Sequence, residues 1–245
     1  MHVGRTAVGT AMVRAAESRR PDRLFDDPFA HLFADSTLFD GGTDSGVGAA
    51  FAAQCVLRTR FFDDYLLGAG CPQVVLLGAG LDTRAFRLPW PPGVALYELD
   101  LPEVLADKAG ALAGARARCH RREVAADLRE PWELPGFRAG EPTAWLAEGL
   151  LTYLSADEVS GLLERVDALS APASRFACDH GGDLLDRVRN MPSLAEYAGL
   201  WRGGLPDLPE WLRDRGWEVT VHVGEEVARR YGRSGSVRLI TAVKR

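Results

Sequence analysis

The chain has 245 residues, 47% of them hydrophobic and 26% charged, with a formal net charge of −5. That length suits one large domain with a substantial core, and the acidic balance argues against nucleic acid or an anionic membrane as the main partner. No apolar run approaches the roughly 18 residues of a membrane span, and the start Met1-His2-Val3-Gly4-Arg5-Thr6 has no signal-peptide pattern, so a cytoplasmic location is expected.

Four cysteines (Cys55, Cys71, Cys119, Cys178) are scattered without a Cys-x-x-Cys pair, and the five histidines do not cluster with them. A reduced protein without a structural metal is the simplest expectation. Lys108 and Lys244 are the only lysines; with the many Ala and Gly, this reads as genome composition rather than a guanidinium-based function.

Residues 5–20 carry Ala, Val and Met at helical spacing, and Pro21 ends that helix because the residue before proline is pushed out of the α region. Asp26-Asp27-Pro28 predicts a second, capped helix start. Residues 40–48 read as a flexible connection, and helical periodicity returns from Ala49 to Leu67 with Phe51, Cys55, Phe62 and Leu66 on one stripe.

Beyond Pro72 short strands alternate with helices. Strands are expected over 73–77, 94–99, 119–125, 142–147 and 173–179, with helices over 102–113 and 156–169 between them. That alternation implies right-handed crossovers and a mostly parallel sheet. Two further strands, 217–223 and 237–243, separated by a short helix at 224–231, are expected to close the sheet with an antiparallel edge strand. Residues 182–215 interrupt the rhythm, as a helical cap over the carboxyl edge or as a packing insertion. The whole reads as a single domain over 1–245: a helical cover (1–70), a cofactor-binding core (71–181), the insertion (182–215) and the last strands (216–245).

The most informative stretch is Val74-Val75-Leu76-Leu77-Gly78-Ala79-Gly80, a doubly buried strand running into a Gly-x-Gly turn. Glycine lets the chain bend and a ligand approach the main chain, and open α/β sheets bind ligands at this edge. Asp100 stands 20 residues after Gly80 at the end of the second strand, where an acid can accept hydrogen bonds from ribose hydroxyls. Glu98, on the same face, is an alternative, and Asp100 could instead cap the helix at Pro102. A dinucleotide site wants a third glycine, but Leu81-Asp82-Thr83 follows, and Asp82 would repel a pyrophosphate. S-adenosylmethionine has no phosphate and carries two positive groups, so it fits better. A nicotinamide-dependent oxidoreductase on the same layout is the alternative, and a non-catalytic cofactor-binding relative the third reading.

Several motifs in order then carry a resemblance over nearly the whole chain: "RTRFFDDYL" (58–66), "VVLLGAGLDTRAFRL" (74–88), "YELDLPEVLADK" (97–108), "DLREPW" (127–132) and "WLAEGLLTYLSADEV" (145–159). The segments "TAVGTAMVRAAESRRPDRLFDDPFA" (6–30) and "WLRDRGWEV" (211–219) agree with it. The chain resembles the leucine carboxyl methyltransferase family, in its bacterial branch of S-adenosylmethionine-dependent O-methyltransferases associated with secondary metabolism. The resemblance implies a Rossmann-like class I methyltransferase fold, α/β, with a mostly parallel seven-stranded sheet. It also implies that Arg58, with Arg60 as its rival, clamps the methionine carboxylate of the cofactor. Gly78, Ala79 and Gly80 would line the methionine portion, and Asp100 and Leu101 the ribose. Asp127 and Leu128 would meet the adenine, although Asp127 also reads as a helix cap. Glu148 would stand beside the methyl-transfer centre. Tyr153 would orient the acceptor, a small metabolite or a peptide. His180, placed by position rather than by family, is a candidate general base for a hydroxyl acceptor.

Overall fold

Residues 73–77 form strand β1 (Gln73–Leu77), buried along its whole length because helices cover both faces of a parallel sheet. The structure, a computed structural model, describes residues 2–34, 46–180 and 201–245. β1 is followed by β2 (Ala95–Asp100), β3 (His120–Ala125), β4 (Thr143–Ala147), β5 (Arg175–Asp179), β6 (Trp217–Gly224) and β7 (Val237–Lys244). They build one seven-stranded sheet in the order β3-β2-β1-β4-β5-β7-β6. The first five strands are parallel, and β7 runs antiparallel to both β5 and β6. The expected antiparallel strand is thus β7, inserted beside β5, with β6 outermost. β1 has β2 on one side and β4 on the other, so the strand order reverses there and opens a crevice at the carboxyl ends.

The strand residues alternate between two cores. Val74, Leu76, Leu96, Leu146 and Ala177 pack with Leu57, Phe61 and Phe62 of helix α2 (Gly46–Gly68). Val75, Leu77, Leu99, Trp145 and Phe176 pack on the opposite face with Val159, Leu162 and Val166 of α5 (Ala156–Ala168). The start of α5 is legible in its own residues: Ser155 and Glu158 cap each other, the Ser155 N–H donating to Glu158 Oε2 at 2.8 Å. In chain order the remaining helices are α1 (His2–Ser18), α3 (Arg84–Arg87), α4 (Pro102–Ala111), α6 (Leu208–Asp214) and α7 (Glu226–Arg230).

The helix expected after Pro28 is only a 3-10 turn, Ala30–Phe33. Its would-be cap, Asp27, is buried and shared: it accepts the N–H groups of Phe29 and Ala30 on one oxygen and binds Arg14 and Thr83 with the other. Most of the expected connection over 40–48 lies outside the described residues, and α2 already begins at Gly46. Of the expected cap, residues 182–200 also lie outside them. The described remainder yields α6, whose Leu208 and Leu212 join the α5-side core and whose Trp211 Nε1 donates to Ser160 Oγ at 3.2 Å. Among the described residues no helix is long and apolar enough to cross a membrane, and no cluster of His, Cys, Asp and Glu could hold a metal ion.

Candidate active site

Strand register places the chemistry-bearing residues in one row. Leu77 lies opposite Leu99 on one side and Ala147 on the other, and Ala147 lies opposite Cys178. The next residues, Gly78, Asp100, Glu148 and Asp179, therefore line the carboxyl edge of four neighbouring strands.

At Gly78 and Gly80 φ is +64° and +46°, left-handed values that a side chain strains. Asp100 closes the turn: its Oδ2 accepts the Gly80 N–H at 2.6 Å and its Oδ1 the Leu101 N–H at 2.7 Å. A carboxylate has about four acceptor positions, so further donors such as a pair of ribose hydroxyls can still be received. Burial raises the Asp100 carboxyl above its ordinary range despite these two donors. Glu98 is not interchangeable with it. One pleat deeper and fully buried, Glu98 is 2.8 Å from Lys108 Nζ and 2.7 Å from Arg121 Nη2, so its charge is consumed inside the fold.

Facing the turn is a continuous chain of ion pairs. Arg58, from α2, binds Glu148 Oε1 through Nε at 2.9 Å and Asp179 Oδ2 through Nη1 at 3.0 Å. The other Glu148 oxygen is 2.8 Å from Arg84 Nη1. Arg84 also pairs with Asp82, and its Nε donates to Asp63 at 2.7 Å. Asp63 accepts two bonds from Arg87, while Asp27 takes Arg14 Nε at 2.9 Å and the Thr83 hydroxyl at 2.7 Å. Arg14 reaches on to the Leu81 carbonyl at 2.7 Å. Buried charges demand such partners, and these bind the amino-terminal helices to the sheet edge. Arg60, two residues from Arg58 and so on another helix face, donates instead to the Leu24 carbonyl at 2.6 Å and pairs with Asp64.

Burial would raise the Glu148 carboxyl, but the Arg84 and Arg58 guanidiniums more than reverse this and hold it below its ordinary range. Asp82 is likewise opposed by burial and pulled down to about 2, chiefly by Arg84. This corrects the expectation drawn from Asp82. Its charge is matched by Arg84, so repulsion of a pyrophosphate is a weaker argument against a dinucleotide than the missing third glycine.

The remaining candidates sit around this centre. Asp127, just past β3, is held by Arg129, whose hydrogen bonds keep its carboxyl below the usual range. Leu128 is buried in the α5-side core. Tyr153 is half-buried at the end of the 3-10 turn Leu151–Tyr153. His180 follows β5, its N–H donating to the Arg238 carbonyl at 3.0 Å, and burial with Arg238 nearby lowers the imidazole. The structure thus joins Arg58, Glu148 and the glycine turn's edge into one row, while among the described residues no hydrogen bond ties Tyr153 or His180 to the ion-pair chain. Asp63, Arg84, Arg87 and Asp179 were not foreseen. For the first three, the charged residues within the motifs at 58–66 and 74–88 were the available signal, but charge alone does not announce burial.

This strand order, with a reversed β7 and an acid closing a glycine turn, defines the class as a Rossmann-like methyltransferase fold. In fold the chain is similar to a DUF574 family protein from Streptomyces avermitilis (14% identical, TM-score 0.59, 92% of this chain and 97% of that one). It is also similar to magnesium protoporphyrin IX methyltransferase from Synechocystis PCC 6803 with bound S-adenosylmethionine (14% identical, TM-score 0.54, 97% of each chain). In sequence it is similar to a Parafrankia sp. (strain EAN1pec) protein, 49% identical over 88% of this chain and 76% of that one. A Streptomyces coelicolor protein is 41% identical over 98% of this chain and 95% of that one. Both are provisionally named S-adenosyl-L-methionine-dependent methyltransferases. The model of the leucine carboxyl methyltransferase family matches residues 7–167, and the chain belongs to that family.

Proposed function

We propose that this chain uses S-adenosylmethionine to methylate an oxygen, a carboxylate or a hydroxyl, on a small metabolite or peptide. The observation that supports it best is the Asp100 carboxylate seated on the Gly80 N–H at 2.6 Å, in the same row as a guanidinium–carboxylate pair, Arg58–Glu148. That arrangement suits a ligand with hydroxyls at one end and an amino acid at the other.

When bound, S-adenosylmethionine supplies a methyl group on an already positive sulfur. Asp100 would receive the ribose hydroxyls, with Leu101 beside it. Gly78, Ala79 and Gly80 offer main chain without bulk to the methionine portion. Among the described residues the bonds of Arg58 to Glu148 and Asp179 use Nε and Nη1, leaving Nη2 for the methionine carboxylate. Glu148, kept ionised by two arginines, favours positive charge in its neighbourhood. Asp127 offers an acceptor to an exocyclic amine and Leu128 an apolar wall to the adenine. Tyr153 would orient the acceptor. A carboxylate acceptor needs no base, whereas a hydroxyl gives up a proton, and His180, held neutral, can take it. The remaining task is alignment with water excluded.

Calorimetric titration tests the reading. The wild type should bind S-adenosylhomocysteine and not NAD, and Arg58→Ala and Asp100→Ala should each weaken that binding at least tenfold. Normal affinity in both variants, or preference for NAD, overturns the site. Transfer of labelled methyl to a panel of peptide carboxylates and phenols then separates the two acceptor classes.

A further inference from the structure

Asp179 ends β5 in the register position beside Glu148, and its two oxygens have different partners. Oδ2 is 3.0 Å from Arg58 Nη1, and Oδ1 accepts the Gly149 N–H at 2.6 Å. Gly149 is left-handed, with φ +64°, and a Cβ built on it would stand 3.6 Å from Arg58 Nη2 and 3.8 Å from Nη1. One carboxylate therefore secures both the guanidinium and the backbone turn whose missing side chain leaves room beside that guanidinium. Glu148 holds Nε from the other side at 2.9 Å. The side chains of Arg58, Glu148 and Asp179 are only 12%, 15% and 17% exposed, so water competes little for these bonds. A planar, delocalised fork held at two of its nitrogens cannot turn about its long axis.

We propose that Asp179 is a positioning residue for capture of the cofactor's carboxylate: with Glu148 it fixes the plane of the Arg58 fork, and Gly149 keeps the outer edge of that fork accessible. The proposal rests on the assignment of Arg58 made above. It excludes the opposite role, in which Asp179 is a resident competitor that an incoming carboxylate must displace, because a competitor's removal tightens binding and a positioner's removal loosens it.

Asp179→Asn keeps an oxygen for the Gly149 N–H and puts a neutral amide NH2 in place of the charged acceptor of Arg58 Nη1, so it is the informative variant. Calorimetry with S-adenosylhomocysteine on wild type, Asp179→Asn, Arg58→Ala and the double variant, each first checked for a cooperative melt, forms a cycle. The expected result is a fivefold or greater loss for Asp179→Asn in the wild type and less than twofold further loss in Arg58→Ala. Tighter or unchanged binding of Asp179→Asn overturns the proposal, and so does an equal loss in both backgrounds, which would place its effect in the backbone. If Arg58→Ala alone binds normally, the assignment of Arg58 is what fails. Should Asp179→Asn not fold, Arg58→Lys replaces it. That variant keeps the charge without the fork; fivefold weaker binding agrees with the proposal, and wild-type binding overturns it.

Discussion

His180 illustrates how a residue's surroundings set its chemistry. Burial and the nearby Arg238 push its imidazole below the usual range, and Asp179 only partly offsets them. Both Asp179 oxygens are committed, to Arg58 and to Gly149, so Asp179 is not a partner that would keep the ring charged. A neutral imidazole is the form that accepts a proton. His180→Ala should lower the rate with a hydroxyl acceptor tenfold or more while S-adenosylhomocysteine affinity stays within twofold of wild type. In the wild type, that rate should fall as pH drops through the His180 pKa, with no matching fall for a carboxylate acceptor. An unchanged rate in the variant removes His180 from the reaction.

At the scale of elements, the turn after β1 is the most exacting. A Cβ on Gly78 would meet Leu150 Cδ1 at 3.0 Å in a left-handed conformation, whereas one on Gly80 meets nothing closer than 3.9 Å. Left-handed strain costs about 1–2 kcal/mol. Gly80→Ala should then lower the melting temperature by roughly 2–8 °C for a chain of this size. Gly78→Ala should lower it further, because Leu150 must also move. Scanning calorimetry of the two variants decides it, and an equal or smaller drop for Gly78→Ala would show the Leu150 contact to be slack. This turn was legible from its residues, as were the strands around it, whose observed ends fall within a residue or two of those expected. The 3-10 turn at Ala30–Phe33 was not, because Asp27 is recruited by Arg14 and Thr83, side chains that no local pattern brings near.

Across the whole molecule, the ion-pair chain makes stability depend on pH in a definite direction. Asp82 is depressed from 3.8 to about 2 and Glu148 lies below 4.5. A carboxyl whose folded pKa is lowered contributes stability above its unfolded pKa and loses it as pH falls through the folded one. For Asp82 a shift near two units corresponds to roughly 2–3 kcal/mol. Asp100, raised by burial, works in the opposite sense: its ionisation costs more in the folded chain, so its part declines as pH rises past 3.8. Melting temperature should therefore hold near neutrality and drop steeply from about pH 4.5 to about pH 2, the span between the ordinary carboxyl values and that of Asp82. Asp82→Asn should be less stable at pH 7 and show a shallower acid limb. An acid limb of wild-type slope in that variant would show that Asp82 is not among the groups that titrate with unfolding.

The α/β class, the strand positions and the place of Asp100 at the end of the second strand follow from local properties: apolar runs, glycine spacing and an acid after the next apolar run. Each depends on residues close together in the chain, so the sequence by itself determined them. The tertiary structure alone decided that Asp100 and not Glu98 meets the turn, because Lys108 and Arg121 arrive from α4 and β3 to consume Glu98. It alone decided that Arg58 shares Glu148 with Arg84 and is steadied by Asp179. Ion pairs between distant segments leave no periodicity behind, and these depend on the fold bringing the segments together and on burial removing water as the competing partner.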